Sequence, residues 1–374
     1  MKFRKARVAA TSEDERFWEV KLGNAIRDFS MDIFQDLIVT VVYQSPSMSN
    51  GKDHPLAQQP LVKIKVAEPT LSSCNISINN DVVGILFEQK IVRLESTAYL
   101  AMDSLCFLSS NRILVGWRPQ WDSEVQDTHT QASLDVYDLS RGIDLQPRPE
   151  KQFLLPELTE GTRITNFIFS GDPAPAPSKL CPRLFYTSPD YRICKILIYC
   201  QSNVNGVVSV EQPISLVTFI NTLLHDYGSF DSTSEESGPV TIVPWEQWEE
   251  HTRITRWNPP SSVYGICVSG TRVVRKVPTD IGDQFKVQIC DFNPYAVNNI
   301  RNNELLSKNY TSDYRYIHSS FDTLGERRVF KQKVNCGLPY LEITTKRSFQ
   351  LHDVMLDHDS IYLIRGQEME ILSF

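Results

Sequence analysis

The sequence lacks the short motifs that usually identify a reaction. It contains no G-x-x-x-x-G-K-[S/T] phosphate loop, no G-x-G-x-x-G fingerprint, no G-x-S-x-G nucleophile elbow and no H-E-x-x-H metal pair. Each of these motifs carries part of a known mechanism. The nucleotide-binding, serine-hydrolase and zinc-protease classes that use them therefore find no support, and we assign no catalytic, cofactor-binding or metal-binding residue.

Blocks of basic residues and long apolar runs are also missing. The 374 residues include 38 basic and 45 acidic side chains, for a formal net charge of -7. This balance disfavours a footprint for nucleic acid phosphates. No apolar run approaches the length of roughly 20 residues that a transmembrane helix needs, and the basic start turns acidic where a secretory signal would be apolar. We therefore expect an intracellular protein of the cytoplasm or nucleus, with neither nucleic acid nor a membrane as partner.

The cysteines lack any C-x-x-C spacing. Most lie inside apolar runs such as "RICKILIYC", which is typical of buried thiols in a reducing compartment. The sequence predicts that they are free. They are Cys74, Cys106, Cys181, Cys194, Cys200, Cys267, Cys290 and Cys336.

Short runs that favour β-strands dominate the chain. They are rich in β-branched and aromatic residues and are bounded by Asn, Asp, Ser or Gly. Several are apolar at consecutive positions, which indicates strands covered on both faces. The clearest runs are "LIVTVVY", "VVGILF", "ILVGW", "KILIY" and "IYLIR".

A degenerate repeat places polar turns between pairs of such runs. It predicts hairpins in "NISINNDVVGILF", "SLCFLSSNRILVGW", "YGICVSGTRVV" and "DVMLDHDSIYLI". A further strand often follows, as in "SLDVYDL", "KILIYCQ", "KVQICDF" and "EMEILSF", and "LDVYDLSRG" resembles the strand that closes a WD-repeat blade. Blades of this kind take roughly 40 to 50 residues. We therefore predict an all-β fold, an irregular and possibly incomplete WD-repeat-like β-propeller of about six or seven blades, over residues 21–374. Residues 1–20 are predicted to be a flexible or remnant segment.

One or two short helices are expected in the loops. A helical face has Ser215 as a candidate N-cap and Gly228 as its end, and the residues of that face are Leu216, Phe219, Ile220, Leu223, Leu224 and Tyr227. Asn293 and Pro294 suit the N-cap and first position of a second helix directly after a strand.

Three of the six tryptophans lie in "VPWEQWEEHTRITRW", residues 243–257. Pro244 ends the preceding strand pattern, and Trp245 and Trp248 are three positions apart. Indole rings bury a large area, so we predict that this segment pins a long connection to a sheet. An aromatic cage for a cationic or sugar ligand would use the same side chains, and this alternative stays open at the level of sequence.

This segment, followed by "YGICVSGTRVV" and "VQICDFNPYAV", resembles a motif series in the F-box proteins of mushroom-forming fungi. Weaker similarity runs from about residue 22 to the end of the chain. The matching residues, for which we expect a structural role, are Trp245, Trp248, Thr252, Arg253, Trp257, Gly270, Arg272, Val273, Val274, Asp291, Phe292, Asn293 and Pro294.

The resemblance implies a substrate receptor of a cullin-RING ubiquitin ligase, whose C-terminal domain holds a target protein. The family's F-box, which grips the ligase's linker protein, is a helical module that opens with Leu-Pro-x-Glu-Leu, and it is missing upstream of the motifs here. "LLPELTEGTRITNFIFS" at 154–170 imitates its opening, but Gly161 and the alternation of Ile164, Phe167 and Phe169 predict a turn and a strand. We therefore expect the linker protein as a partner only if an F-box lies upstream.

Two alternative functions stay open. Propeller scaffolds also carry enzymes, and a hydrolase-like enzyme with an unrecognised active site is one alternative. Its most tempting residues are His352, Asp353, Asp357, His358 and Asp359, which could surround a metal. Because "DHDS" falls where the repeat expects a turn, we interpret them as solvated turn residues. The other alternative is a scaffold with no link to a ligase.

Overall fold

The structure is a computed structural model. It describes residues 105–118, 131–141, 148–171, 191–204, 206–210, 213–227, 240–255, 267–302, 312–317, 329–332, 334, 336–356, 360–365 and 368–373, together with the backbone of seven strands before residue 89.

The chain divides into two compact units. One comprises Met1–Thr97 with Ala176–Leu180, and the other comprises Ala98–Pro175 with Cys181–Phe374. Strands β1 and β2 lie within residues 1–20, and the boundary placed at residue 20 from the sequence stays a prediction. Within the described residues, no helix combines the length and apolar character that crossing a membrane requires.

The first unit contains seven strands. They are β1 (Lys2–Arg4), β2 (Phe17–Glu19), β3 (Ile26–Asp32), β4 (Leu37–Tyr43), β5 (Val62–Val66), β6 (Ser73–Asn79) and β7 (Val82–Glu88). Strands β1 and β2 pair with each other, as do β6 and β7, and both pairs are antiparallel. Strand β4 lies between antiparallel β3 and parallel β5.

Among the described residues, the second unit contains four sheets. The first sheet contains β8 (Leu105–Ser109), β9 (Arg112–Trp117), β10 (Ser133–Asp138), β11 (Lys151–Leu154) and, parallel to β11, β16 (Thr241–Val243). The second sheet has the order β12 (Thr162–Gly171), β13 (Ile193–Val204), β15 (Ile214–Phe219) and β17 (Thr252–Thr255), with β14 (Val207–Val210) beside the end of β13.

The third and fourth sheets follow along the chain. The third has the order β18 (Val268–Ser269), β19 (Arg272–Pro278), β20 (Gln284–Asp291), β22 (Tyr340–Thr345) and β21 (Ser312–Ile317), and β23 (Phe349–Gln350) pairs with β20. The fourth contains β24 (Asp353–Leu356), β25 (Ser360–Arg365) and β26 (Glu368–Ser373).

The four sheets contact one another in chain order through their first strands. Strand β8 contacts β12, β12 contacts β18, and β18 contacts β24. This is the way in which the blades of a β-propeller succeed one another. The predicted all-β class is confirmed, and the helices within the described residues are short, α1 (Ile220–Leu224) and α2 (Pro294–Asn302).

The predicted hairpins are present. Antiparallel pairing joins β6 to β7, β8 to β9, β18 to β19 and β24 to β25. The F-box-like opening is part of a turn and strand, as predicted, because β12 begins at Thr162, directly after Gly161. Residues 357–359, which include the candidate turn residues Asp357, His358 and Asp359, lie outside the described residues.

The first predicted helix is largely wrong. Residues 214–219 form β15, and α1 begins only at Ile220, with Phe219 in the N-cap position and no side-chain capping bond. Strand β15 is interior to its sheet, paired with β13 on one side and β17 on the other. These two ladders override a spacing of three and four that also fits a helix. Ser215 therefore lies in a strand, and Gly228 is outside the described residues.

Two apolar cores lie on opposite faces of the second sheet. Leu216, Ile196 and Ile254 point toward the first sheet and pack with Phe153 and Trp248. Ile193 and Val217 point the other way and pack with residues of the third and fourth sheets. We call the first contact the apolar interface and the contact between the second and third sheets the polar interface, because Lys195 and Arg253 of the second sheet are buried there. Two further buried cations, Lys151 and Arg192, lie beside the first contact and donate to the backbone carbonyls of Leu224 and Leu108. The consecutive apolar residues of β13 and β15 thus belong to strands that are covered on both faces, as predicted.

The described cysteines are free and buried, as predicted. They are Cys106, Cys194, Cys200, Cys267, Cys290 and Cys336. The side chains of Cys74 and Cys181 lie outside the described residues.

Candidate functional site: the tryptophan segment and an exposed hairpin edge

The tryptophan segment joins the first sheet to the second. Strand β16 pairs with β11 of the first sheet and ends at Val243, before Pro244. Two 3-10 turns follow, at Trp245–Gln247 and Glu249–His251, and β17 then pairs with β15 of the second sheet. The segment therefore crosses from one blade to the next.

Both indole rings of this crossing are buried. Trp248 is fully enclosed, its Nε1 donates a hydrogen bond to the Leu154 carbonyl at 3.2 Å, and its ring meets that of Phe153 edge to face at 5.4 Å. The Trp245 ring lies 4.8 Å from that of Trp248. Such pairs contribute about 0.5–1.5 kcal/mol beyond the area that they bury. The rings occupy a packed core, as the packing interpretation expected, and Trp257 lies outside the described residues.

Thr252 and Arg253 continue the segment into β17 with opposite orientations. The Thr252 hydroxyl donates to the Glu249 carbonyl at 2.8 Å and closes the second 3-10 turn. Arg253 is buried in the polar interface, where its guanidinium carbon lies 5.4 Å from the centre of the Tyr340 ring. This distance is within the range of a cation–π contact.

Asp291 forms hydrogen bonds with residues of the next two motifs. Its Oδ1 accepts hydrogen bonds from the Thr271 hydroxyl and from the Asn293 backbone N–H, each at 2.9 Å, and its Oδ2 accepts one from Arg272 Nε at 3.2 Å. The carboxylate thus ties the turn at Gly270 to the start of α2. Because Asp291 is almost fully buried, the loss of these donors would leave polar groups without water to replace them.

Asn293 caps α2 as predicted. The Tyr295 backbone N–H donates to Asn293 Oδ1 at 3.0 Å, and Pro294 is the first residue of the helix. This arrangement satisfies a donor that the helix itself leaves unpaired.

Tyr340 contacts residues of two motifs, the Thr-Arg pair and the Asp-Phe-Asn-Pro run. The Phe292 ring lies 5.0 Å from the Tyr340 ring, on which Arg253 also lies. Burial raises the pKa of Tyr340, so its hydroxyl stays neutral. One packed region therefore contains residues from all of these motifs. It includes the Thr-Arg pair, the Asp-Phe-Asn-Pro run and the buried valines Val273 and Val274. Sequence reasoning missed Tyr340, because its contacts are distant along the chain and no local pattern announces them.

The candidate metal residues are not gathered into a site within the part of the chain that the structure describes. His352 is exposed before β24, Asp353 is buried at its start, and no group of three metal-ligating side chains occurs among the described residues.

An exposed apolar edge lies at the end of the second sheet. Strand β13 runs past its pairing with β15, and its last residues pair with β14 in a two-residue hairpin. Val207 and Val208 of β14 are 69% and 54% exposed. Adjacent residues of a strand point to opposite faces, so both faces of the hairpin tip are open to solvent. We call this feature the hairpin edge, defined by residues 206–210.

Two glycines fix the hairpin edge in place. Gly206 has φ +81°, and the Asn-Gly sequence at 205–206 is a strong signal for a two-residue hairpin. Gly161 has φ +75°, and its carbonyl accepts a hydrogen bond from the Asn203 N–H at 2.8 Å. A Cβ on Gly161 would lie 2.5 Å from the Asn203 carbonyl oxygen, so only glycine permits this approach.

Polar contacts hold the two strands of the hairpin. The Oγ atoms of Ser202 and Ser209 lie 2.7 Å apart across the pair. On the other side of β13, the Arg163 side chain of β12 donates to Gln201 Oε1. No other described strand pairs with the outer side of β14. The edge therefore presents backbone N–H and C=O groups beside exposed valines. The Asn-Gly signal could have located the hairpin, but its exposure depends on where β15 ends.

Comparisons with known protein families, with curated proteins and with solved structures find no match for this chain.

Proposed function

We propose that this chain is the target-recognition domain of an F-box-type ubiquitin ligase receptor. In this proposal the fold is an irregular WD-repeat-like propeller of about six or seven blades, and the four sheets of the second unit supply four of them. The domain binds a target protein and takes no part in bond making. Its effect is to raise the concentration of a target lysine near the charged ubiquitin carrier.

The hairpin edge is the observation that carries the proposal. Natural sheets usually protect their edge strands with charged side chains, with proline or with a helix or loop that covers them, because an open apolar edge pairs with other strands. Here Val207 and Val208 are exposed beside an edge that no described strand occupies. An extended segment of a target protein would add to β14 by backbone hydrogen bonds, and apolar side chains at its alternate positions would cover the valines.

The resemblance supports the ligase context. The residues that carry it lie in the packed region around Tyr340 and in the tryptophan crossing, so they would maintain the scaffold that presents the hairpin. Recruitment to the cullin would use an F-box outside residues 1–374. The linker protein is therefore a partner only of a polypeptide that includes that module.

Site-directed photo-crosslinking tests the proposal. A photoreactive residue at position 208 should capture a specific target in cells, and Val207→Lys in the same protein should abolish that capture. The matched control carries the photoreactive residue at position 281, because Ile281 is 66% exposed on the turn before β20 of the third sheet. Val207→Lys should change the free energy of unfolding by less than about 0.5 kcal/mol, as expected for a surface position.

The outcomes separate the alternatives. A target captured from position 208, and ubiquitinated in a cullin-dependent way when the upstream sequence is present, supports the receptor role. Capture without cullin dependence indicates a scaffold. Equal capture from positions 208 and 281, or none from position 208, overturns the hairpin edge as the recognition surface.

A further inference from the structure

Lys195 is a buried lysine in the middle of a strand. It lies in β13 and is 1% exposed. Its neighbours Cys194 and Ile196 point into the apolar interface, so Lys195 points to the opposite face, into the polar interface beside Ile193. Burial of an ammonium group costs several kcal/mol unless a partner compensates for the lost water.

The partner of Lys195 is a thiol. Lys195 Nζ donates a hydrogen bond to Cys267 Sγ at 3.2 Å. No carboxylate of the described residues forms an ion pair with Nζ. Two buried carboxylates of the third sheet are already engaged, Asp291 with Arg272 and Glu342 with Arg275 and Arg315. An amine and a thiol are thus held together in a site that is almost fully buried.

We propose that Lys195 and Cys267 are a modification site, in which dioxygen joins Nζ to Sγ through a single oxygen atom. The separation of 3.2 Å favours a one-atom bridge, because a direct S–N bond would require the two side chains to move considerably closer. Dioxygen is small and apolar, so it enters a packed interface that excludes larger oxidants.

The reaction balances with dioxygen alone. One ammonium, one thiol and one dioxygen molecule give the N–O–S link, one water and one proton. The amine nitrogen and the thiol sulfur each lose two electrons. The two oxygen atoms accept these four electrons, one in the bridge and one in the water. Reduction of the link by excess thiol returns the amine and the thiol and releases the bridging oxygen as water.

Cys290 provides a matched comparison in the same interface. It is fully buried, and burial raises the pKa of its thiol to about 12. The cation that most lowers the pKa of Cys290 against this burial is the guanidinium of Arg275, which is not a nucleophilic amine. Cys290 should therefore remain a free thiol under conditions that link Cys267.

The link would fasten two blades together. Lys195 belongs to the second sheet, and Cys267 directly precedes β18 of the third. The two residues are 72 positions apart in sequence. A bond that closes a loop of this length restricts the unfolded chain, so we expect the midpoint temperature of unfolding to rise by about 5–10 °C.

Peptide mass spectrometry of the intact, purified protein tests the proposal. After incubation under dioxygen, digestion should yield a linked pair of peptides that contain Lys195 and Cys267. Their combined mass should exceed the sum of the free peptides by one oxygen atom less two hydrogen atoms. Excess reductant should remove the link and reverse the rise in midpoint temperature.

The controls distinguish the link from other sulfur chemistry. Cys267→Ser and Lys195→Arg should abolish the linked pair, and Cys290→Ser should retain it. Cys106→Ser controls for the buried thiols Cys106 and Cys194 of the same core, whose oxidation to a disulfide could also shift the midpoint. The wild-type mass measurement does not depend on the folding of any variant. Free Lys195 and Cys267 after prolonged oxygenation, or a mass that shows a direct S–N bond, would overturn the proposal.

Discussion

The two faces of the second sheet are built from alternate residues of the same strands, yet they differ in chemistry. The apolar interface holds Ile196, Leu216 and the ring of Trp248. The polar interface holds Lys195, which contacts the Cys267 thiol, and Arg253, which lies over the Tyr340 ring of the third sheet. The run "RICKILIYC" thus indicates that both faces are covered. Its Lys195 contacts Cys267 before the third sheet, and its Arg192 donates to the Leu108 carbonyl of the first sheet.

The difference should appear in how each interface tolerates substitution. Apolar packing is not directional, so swaps that conserve volume cost less than about 1.5 kcal/mol in such a core. Hydrogen bonds and ion pairs need particular partners at particular distances. Removal of one partner leaves the other buried and unsatisfied.

Trp248→Ala is expected to have the largest effect. It empties a fully buried site in the apolar interface and leaves the Leu154 carbonyl without its indole donor. We expect a loss of about 3–5 kcal/mol in the free energy of unfolding, measured by urea denaturation. Ile242→Ala, at a position 59% exposed in β16 directly before the segment, is the matched control and should change stability little. A cost for Trp248→Ala close to that of the control would show that the segment does not fasten the sheets.

Asp291→Ala should have the next largest effect. It removes the acceptor of the Thr271 hydroxyl, the Asn293 N–H and Arg272 Nε, and we expect a loss of about 2–3 kcal/mol. Asp291→Asn keeps one acceptor oxygen and should lose less. Equal losses in the two variants, measured by the same denaturation, would contradict the role of the carboxylate as a hub.

The contact between Arg253 and Tyr340 should contribute a smaller amount. A double-mutant cycle with Arg253→Met and Tyr340→Leu should give a coupling energy of about 0.5–2 kcal/mol, because the guanidinium lies over the ring in a buried site. A cycle of Arg253→Met with Val136→Ala, which lies in the first sheet, should give a coupling near zero. Similar couplings in both cycles would mean that the effect is global and does not arise from the pair.

Alkaline pH should weaken the polar interface and the first sheet gradually. Burial raises the pKa of Cys290 from 9.0 to about 12 and that of Tyr137, in the first sheet, from 10.0 to about 12. Since both groups ionise more readily in the unfolded chain, their stabilising contribution is complete below pH 9 for Cys290 and below pH 10 for Tyr137. It declines as pH rises toward 12.

Single substitutions separate the two contributions. Cys290→Ala should flatten the fall in stability that begins near pH 9, and Tyr137→Phe should flatten only the part above pH 10. Urea denaturation at a series of pH values measures both slopes. Unchanged slopes in both variants would show that these groups do not govern alkaline unfolding.

Local chemistry was sufficient to predict most strands. Strand β4 coincides with the run "LIVTVVY", and the hairpin of β18 and β19 turns at the polar residues expected for it. The Asn293 cap was predictable for the same reason, because a cap bond joins residues two positions apart. Patterns of this kind depend on a few neighbouring residues, all of which the sequence displays together.

Features that depend on distant partners were not predictable. The spacing from Leu216 to Tyr227 fits a helix, and only the pairing of β15 with β13 and β17 makes its first part a strand. The parallel pairing of β16 with β11 and the position of Tyr340 between Arg253 and Phe292 also have no local signal. For the hairpin edge, the sequence contains the turn signal, but exposure of Val207 and Val208 arises from the arrangement of the whole sheet.

The most direct test of the central claim, that the second sheet is covered on both faces, compares Ile193→Ala with Ile196→Ala. Both side chains are fully buried, Ile193 in the core toward the third sheet and Ile196 in the core toward the first. Measured by urea denaturation, each variant should lose about 2–5 kcal/mol of unfolding free energy. A loss below about 0.5 kcal/mol for either one, the value typical of a surface position, would show that its face is open to solvent and would contradict the claim.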